Sequence, residues 1–223
     1  MSVSTETDIR DDPINYFAVD PGNTESGWVF CRRNTDVLGG LDIIDSGIDK
    51  NEDLRRSMAS SGSIPTTRLL IETPKPQGML MSSEMVDTIV HIGRFIQLWS
   101  TYGGRYSLVF RPHVKLHLCG RATAKDPNVT QALKDRFGGV SVAVGGKKCT
   151  KCKGRGWLGR DHDNCDSCDG SGWGVPKGPL YGITSHRWAA LALACYFVDT
   201  GQLFTRVTNP ETSGRKPGAK KKK

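Results

Sequence analysis

The chain has no apolar run approaching the roughly 20 residues that a membrane span needs, so a helical membrane protein is excluded. Its first residues, MSVSTETDIRDD, are polar and acidic and lack the apolar centre of a secretory signal. A cytoplasmic protein is therefore expected, and disulfides are not. The seven cysteines agree, because they do not spread along the chain as a disulfide framework would. Cys31, Cys119 and Cys195 stand singly among apolar residues and read as small core side chains. The other four form two close pairs, Cys149/Cys152 and Cys165/Cys168. No internal repeat of solenoid length is present, which removes repeat architectures. Acidic residues are in deficit, 23 against 31 Lys and Arg, and the net charge of +8 favours a polyanionic partner.

That charge is uneven. Residues 206–223 hold seven basic residues and only Glu211, a net of +6, so the remainder carries about +2. This tail, like residues 1–12, has too little apolar surface to bury and is expected to be disordered. A flexible basic tail adds salt-sensitive affinity for nucleic acid; a merely solubilising tail is the other reading.

Between the two ends, residues 13–205 are long enough for one domain with a sizeable core. INYFAVD (14–20) and SGWVFCR (26–32) flank a Pro-Gly turn and predict a strand hairpin, with a third strand within 36–47. Residues 51–60 suggest a short helix, and RLLIE (68–72) is a strand that Pro74 and Pro76 end. A helix over 82–99, capped by Ser83, places Met85, Ile89, Ile92, Phe95, Ile96 and Trp99 on one apolar stripe. A strand at 106–110, helices near 114–119 and 129–137, and an apolar helix over 185–198 complete the series. Hairpin-linked strands followed by alternating strands and helices indicate an α/β fold with a mixed sheet.

Asp20 ends the first strand and Glu72 ends the fourth. Strand ends are where ligand sites gather in open α/β sheets. Two carboxylates brought together there need a cation between them, and hard oxygen ligands suit Mg²⁺. Alone, Asp20 reads as a turn former before Pro-Gly, and Glu72 as a solvated rim residue.

AVDPGNTESGWV, LLIETP, RPHVKLHLCGRATAKDPNVTQAL and SHRWAALALA occur in the order of the motifs of phage-type RuvC Holliday junction resolvases, and together they resemble that family. The resemblance implies an RNase H-like mixed five-stranded sheet flanked by helices, and usually a homodimer. It implies a structure-selective endonuclease that cuts four-way or other branched double-stranded DNA with Mg²⁺ or Mn²⁺. If the chain is phage-encoded, the compartment is the host cytoplasm. By position, Asp20 and Glu72 would be metal ligands, and Lys115 and Lys125 would hold phosphates, although solvated helix-end lysines are the plainer reading. The family's last helix usually carries two acidic residues three apart. Here those positions hold His186 and Ala189. His186 can stand in as ligand or act on the attacking water; Ala189 can do neither. A catalytically weak or inactive branched-DNA-binding protein is therefore the alternative. Met79 and Met81 lie in a loop where the family places an apolar side chain against the junction centre, and apolar wedges deform DNA. A loop folded onto the core is the competing account. An actin-like or sugar-kinase ATPase also has an Asp-Gly turn after its first strand, but the chain is too short for that duplicated fold.

CTKCKGRG and CDSCDGSG are two C-x-x-C-x-G-x-G knuckles, with twelve residues between Cys152 and Cys165. Four thiolates on two knuckles make a tetrahedral structural Zn²⁺ site. The pattern resembles half of the DnaJ cysteine-rich region, without the second knuckle pair or J-domain that a co-chaperone would need. The insertion, 145–178, holds seven Lys and Arg up to Lys177 against four Asp. With Trp157 and Trp173 it can contact DNA, or it can serve only as a stapled insertion.

Overall fold

The computed structural model describes residues 15–60, 64–74, 81–159 and 162–201. The expected disordered ends and Met79 lie outside the described residues.

Strands β1 (Asn15–Pro21), β2 (Glu25–Arg33) and β3 (Leu41–Lys50) form an antiparallel meander, followed by α1 (Asn51–Ser60) and β4 (Thr67–Thr73). Then come α2 (Ser83–Thr101), β5 (Arg105–Phe110), α3 (Arg111–Cys119), α4 (Asp126–Arg136) and the single turn α5 (Val140–Ala143). The five strands make one mixed sheet in the order β3-β2-β1-β4-β5, with β4 parallel to β1 and β5 parallel to β4. The third strand starts later than 36 because residues 34–40 form a turn closed by Asn34 N–H donating to Gly40 O at 3.1 Å.

Alternation along the strands decides the two cores. Tyr16, Ala18 and Leu70 face one side, where the final helix α6 (Arg187–Thr200) packs with α3 and α4. Phe17, Val19, Leu69 and Ile71 face the other, against Leu54 and Met58 of α1 and Ile92, Phe95 and Trp99 of α2. Helix α6 is apolar around most of its circumference and eight of its residues are buried, as expected for a helix in the centre of a layer. Cys31 and Cys195 are core side chains; Cys119 is only half-buried.

Helix α2 departs from the expected stripe. Its cap is Ser82, whose hydroxyl accepts from Met85 N–H, rather than Ser83. Only Ile92, Phe95 and Trp99 are buried, whereas Val86, Ile89 and Val90 are exposed. The reason is angular position: at ~100° per residue, Val86 and Val90 lie on the side of the helix turned away from Ile92, Phe95 and Trp99, and Ile89 lies at its flank.

Between α5 and α6 lies a small β element. Strands β6 (Gly145–Lys148) and β9 (Trp173–Lys177) pair antiparallel at its base, and β7 (Trp157–Leu158) pairs with β8 (Asp163–Asn164) further out. No helix among the described residues is long and apolar enough to cross a membrane.

Leu193, at 0% exposure in the α6 layer, tests this packing. Leu193→Ala should lower unfolding free energy by about 2–5 kcal/mol, read as a drop in urea midpoint at unchanged slope. A loss below about 1 kcal/mol would contradict a close-packed α6 layer.

Candidate functional site

Strand register alone brings the two acidic residues together. Because Val19 pairs with Ile71 in the parallel β1–β4 ladder, Asp20 and Glu72 follow side by side at the strand ends. Parity puts both on the face that already holds Ala18 and Leu70. The turn after Asp20 is pinned by Asn51, which donates to Gly22 O at 3.0 Å and accepts from Ser26 Oγ at 2.6 Å.

His186 reaches the same place from the opposite wall. It caps α6, following Ser185 in the left-handed region at φ 48°. Its Nδ1 lies 3.1 Å from Asp20 Oδ2. Gly27, opposite Asp20 in the β1–β2 ladder, makes this approach possible, since a Cβ there would stand 2.5 Å from His186 Cβ. His186 is thus oriented by a carboxylate rather than by backbone.

The space between the carboxylates is taken by a cation from the chain itself. Arg111 Nη1 lies 2.8 Å from Glu72 Oε1 and 3.8 Å from Asp20 Oδ1, while Nη2 donates to Asp126 Oδ1 at 2.9 Å. Lys115 Nζ lies 3.1 Å from the same Asp126 oxygen. Burial raises the Asp20 carboxyl above its ordinary range, opposed by Arg111 and by the bond to His186. Burial, reinforced by the Asp20 charge, pushes Glu72 up to about 7. The bond from Arg111 holds exposed Asp126 down.

Asp20, Glu72, Arg111 and Lys115 sit where two adjoining clefts meet, one of about 750 Å³ and one of about 610 Å³. The larger is also walled by Asp126, His186 and Ala189. A groove of this form can take an extended chain, with two carboxylates, an imidazole and two cations at its middle. The donor set suits a hard divalent cation, and the place between the carboxylates already attracts positive charge, so residues and ion fit. The side chains do not converge on one point as they stand: among the described residues, only the four cysteines form a group of three or more such ligands within 4.8 Å of one another.

The other residues singled out from the sequence fall outside this centre. Lys125 is exposed at the N-cap of α4 and does not line either cleft. Met81 is exposed immediately before the α2 cap. Arg111, Asp126 and Asn51 are the residues that sequence reasoning missed. A signal existed for Arg111: it directly follows β5, whose end pairs beside that of β4 through Thr73 and Phe110.

The cysteines meet in a second centre. Cys149 and Cys165 Sγ are 3.9 Å apart, and Cys152 and Cys168 Sγ are 3.7 Å apart. A tetrahedron with Zn–S bonds of ~2.3 Å has edges of about 3.8 Å. The knuckles are related by a local two-fold pattern. Gly156 N–H donates to Cys152 Sγ and Gly172 N–H to Cys168 Sγ, both at 3.3 Å. Both glycines have left-handed φ, and a Cβ on Gly156 would strike Gly170 O while one on Gly172 would strike Gly154 O. Backbone amide donation from Cys152 holds the Cys149 thiol down at about 6, whereas burial pushes Cys168 up to about 11. Lys151 pairs with Asp166 across the knuckles.

No family model matches the sequence, and no curated protein matches it. The fold is similar to that of RuvC from Thermus thermophilus, with a TM-score of 0.51 and 13% identity, covering 85% of this chain and 98% of that one. It is similar also to T. thermophilus RuvC in complex with a Holliday junction substrate, with a TM-score of 0.53 and 13% identity, covering 83% and 93%. The chain therefore has a RuvC-like, RNase H-like fold: a mixed five-stranded sheet flanked by helices.

Two measurements follow from these centres. The purified chain should carry one zinc, and Co²⁺ exchange should give the visible absorption of a tetrahedral thiolate site that Cys165→Ser abolishes; cysteines recovered as disulfides would sink this. For the carboxylates, a group with its folded pKa above the unfolded one binds its proton better when folded. Glu72 should therefore make stability fall as pH rises from about 4.5 to about 7, by on the order of 3 kcal/mol. Melts of the zinc-loaded protein without added Mg²⁺ or Mn²⁺ should show this slope, and Glu72→Gln should flatten it. An equal slope in both proteins would show that Glu72 does not titrate there.

Proposed function

We propose that this chain is a structure-selective DNA endonuclease that resolves four-way (Holliday) or other branched DNA junctions by metal-dependent phosphodiester hydrolysis. The observation that carries the reading is the meeting of Asp20, Glu72 and His186 at the middle of the groove, on a fold shared with a protein solved with a Holliday junction substrate.

Asp20 and Glu72 would hold Mg²⁺ or Mn²⁺. When bound, such an ion acidifies water and stabilises charge on the phosphate and its leaving oxygen. His186 supplies the proton acceptor: with Nδ1–H donating to Asp20, Nε2 keeps a lone pair directed away from that bond and can take a proton from attacking water. The Asp20 carboxylate fixes the ring's tautomer and steadies the imidazolium that results. Lys115 stands on the cleft wall to neutralise a phosphate, while Lys125 would meet the backbone outside it.

Met79 and Met81 are proposed to wedge the junction centre, for which the exposure of Met81 is the support. A homodimer would set two such grooves on symmetry-related strands of a four-way junction, and the exposed Val86, Ile89 and Val90 of α2 supply an apolar face for it. The four cysteines would hold a structural Zn²⁺ that takes no part in the chemistry. We place the activity in the cytoplasm, that of the host if the chain is phage-encoded.

A second reading, a branched-DNA-binding protein with little or no activity, is favoured by one feature. Ala189 lies on the cleft wall where the resembling family carries an acid.

A labelled four-way junction incubated with Mg²⁺ or Mn²⁺ separates the two readings. Wild type should give paired nicks, while Asp20→Asn and Glu72→Gln should lose them by roughly 100-fold or more and keep junction binding. Binding with no cleavage in either metal would leave the binding protein as the function.

A further inference from the structure

Arg111 is the residue that the reading above leaves unexplained. It opens α3 directly after β5, so its backbone is held at the strand ends beside the groove. It bonds in two directions, with Nη1 on Glu72 at 2.8 Å and Nη2 on Asp126 at 2.9 Å. Those two acceptors differ in kind. Glu72 is buried, with a side chain 10% exposed, and belongs to the pair proposed to hold the ion, whereas Asp126 is 67% exposed on α4. A divalent cation and a guanidinium in the same cleft repel each other strongly at a few ångströms.

We propose that Arg111 is the resident counter-cation of the Asp20–Glu72 pair, that a divalent cation and this guanidinium exclude each other from it, and that Asp126 retains the guanidinium when it leaves. The inference rests on the metal-site reading above. Without an added ion, Arg111 relieves the repulsion between the carboxylates. With the ion in place, it swings about its terminal bonds onto Asp126, beside Lys115, and both cations then face the groove where a phosphate would lie. The ion's apparent affinity is therefore set by a competition inside the chain.

Mn²⁺ titration of the zinc-loaded full-length protein, read by electron paramagnetic resonance and by melting temperature, tests this without any cleavage assay. Arg111→Met should bind Mn²⁺ about tenfold tighter or more, melt lower without Mn²⁺, and gain more on its addition. Arg111→Lys, which keeps the charge, should not tighten binding. Asp126→Asn removes the negative charge of the exposed acceptor; it should weaken Mn²⁺ binding several-fold, and this effect should shrink in the Arg111→Met background. Glu72→Gln marks binding at the groove, since it should abolish it in every background. Mn²⁺ bound through Glu72 with equal or lower affinity in Arg111→Met, or an unchanged affinity in Asp126→Asn, would overturn the competition while leaving the metal site standing. Mn²⁺ binding that is the same in wild type, Arg111→Met and Glu72→Gln would overturn both.

Discussion

Two carboxylates held side by side at the buried ends of parallel strands repel each other, and the arrangement around Asp20 and Glu72 answers that repulsion. Their neighbourhood is imposed by the β1–β4 register, which no local adjustment can change without turning every side chain of a strand to the other face. Burial and mutual charge push Glu72 up to about 7. The chain supplies Arg111 against both acids and His186 against one. Gly27 leaves the room that His186 occupies. The centre is thus polarised before any ligand arrives.

The cysteine centre solves a different problem. A segment of this size, lying between α5 and α6, has little apolar surface of its own: among the described residues its core is the cysteines with Leu158. Four thiols at tetrahedral edge lengths, each knuckle turned by a left-handed glycine pressed on the other knuckle's backbone, are placed so that a bound metal would stand in for that missing core. The two centres differ accordingly. One is closed, soft and sulfur-lined; the other is open, hard and oxygen-lined, at the junction of two clefts.

Helix α2 carries apolar residues on two faces: Ile92, Phe95 and Trp99 turn to the core, whereas Val86, Ile89 and Val90 form a second, exposed strip. An apolar face of this kind on a monomer calls for a partner surface, which agrees with the proposed homodimer.

The sequence by itself determined the features that depend on near neighbours. Strand alternation, the Pro-Gly turn, the apolar run of α6 and the C-x-x-C-x-G-x-G spacing are periodic or local, and the elements and the thiol cluster followed from them closely. It also marked Asp20 and Glu72, through their positions at strand ends, and His186, through the resemblance of its helix to a family motif. Tertiary structure decided what joins them. Arg111 meets Glu72 across 39 residues, His186 meets Asp20 across 166, and Asn51 closes the turn at Gly22 from 29 away. No period or spacing encodes such pairings, because they exist only after the sheet order has placed β5 beside β4 and α6 across β1. Asp126 is the clearest case. From the sequence it is the acidic first residue of a helix; in the fold it is the second acceptor of the guanidinium that stands between the two buried carboxylates.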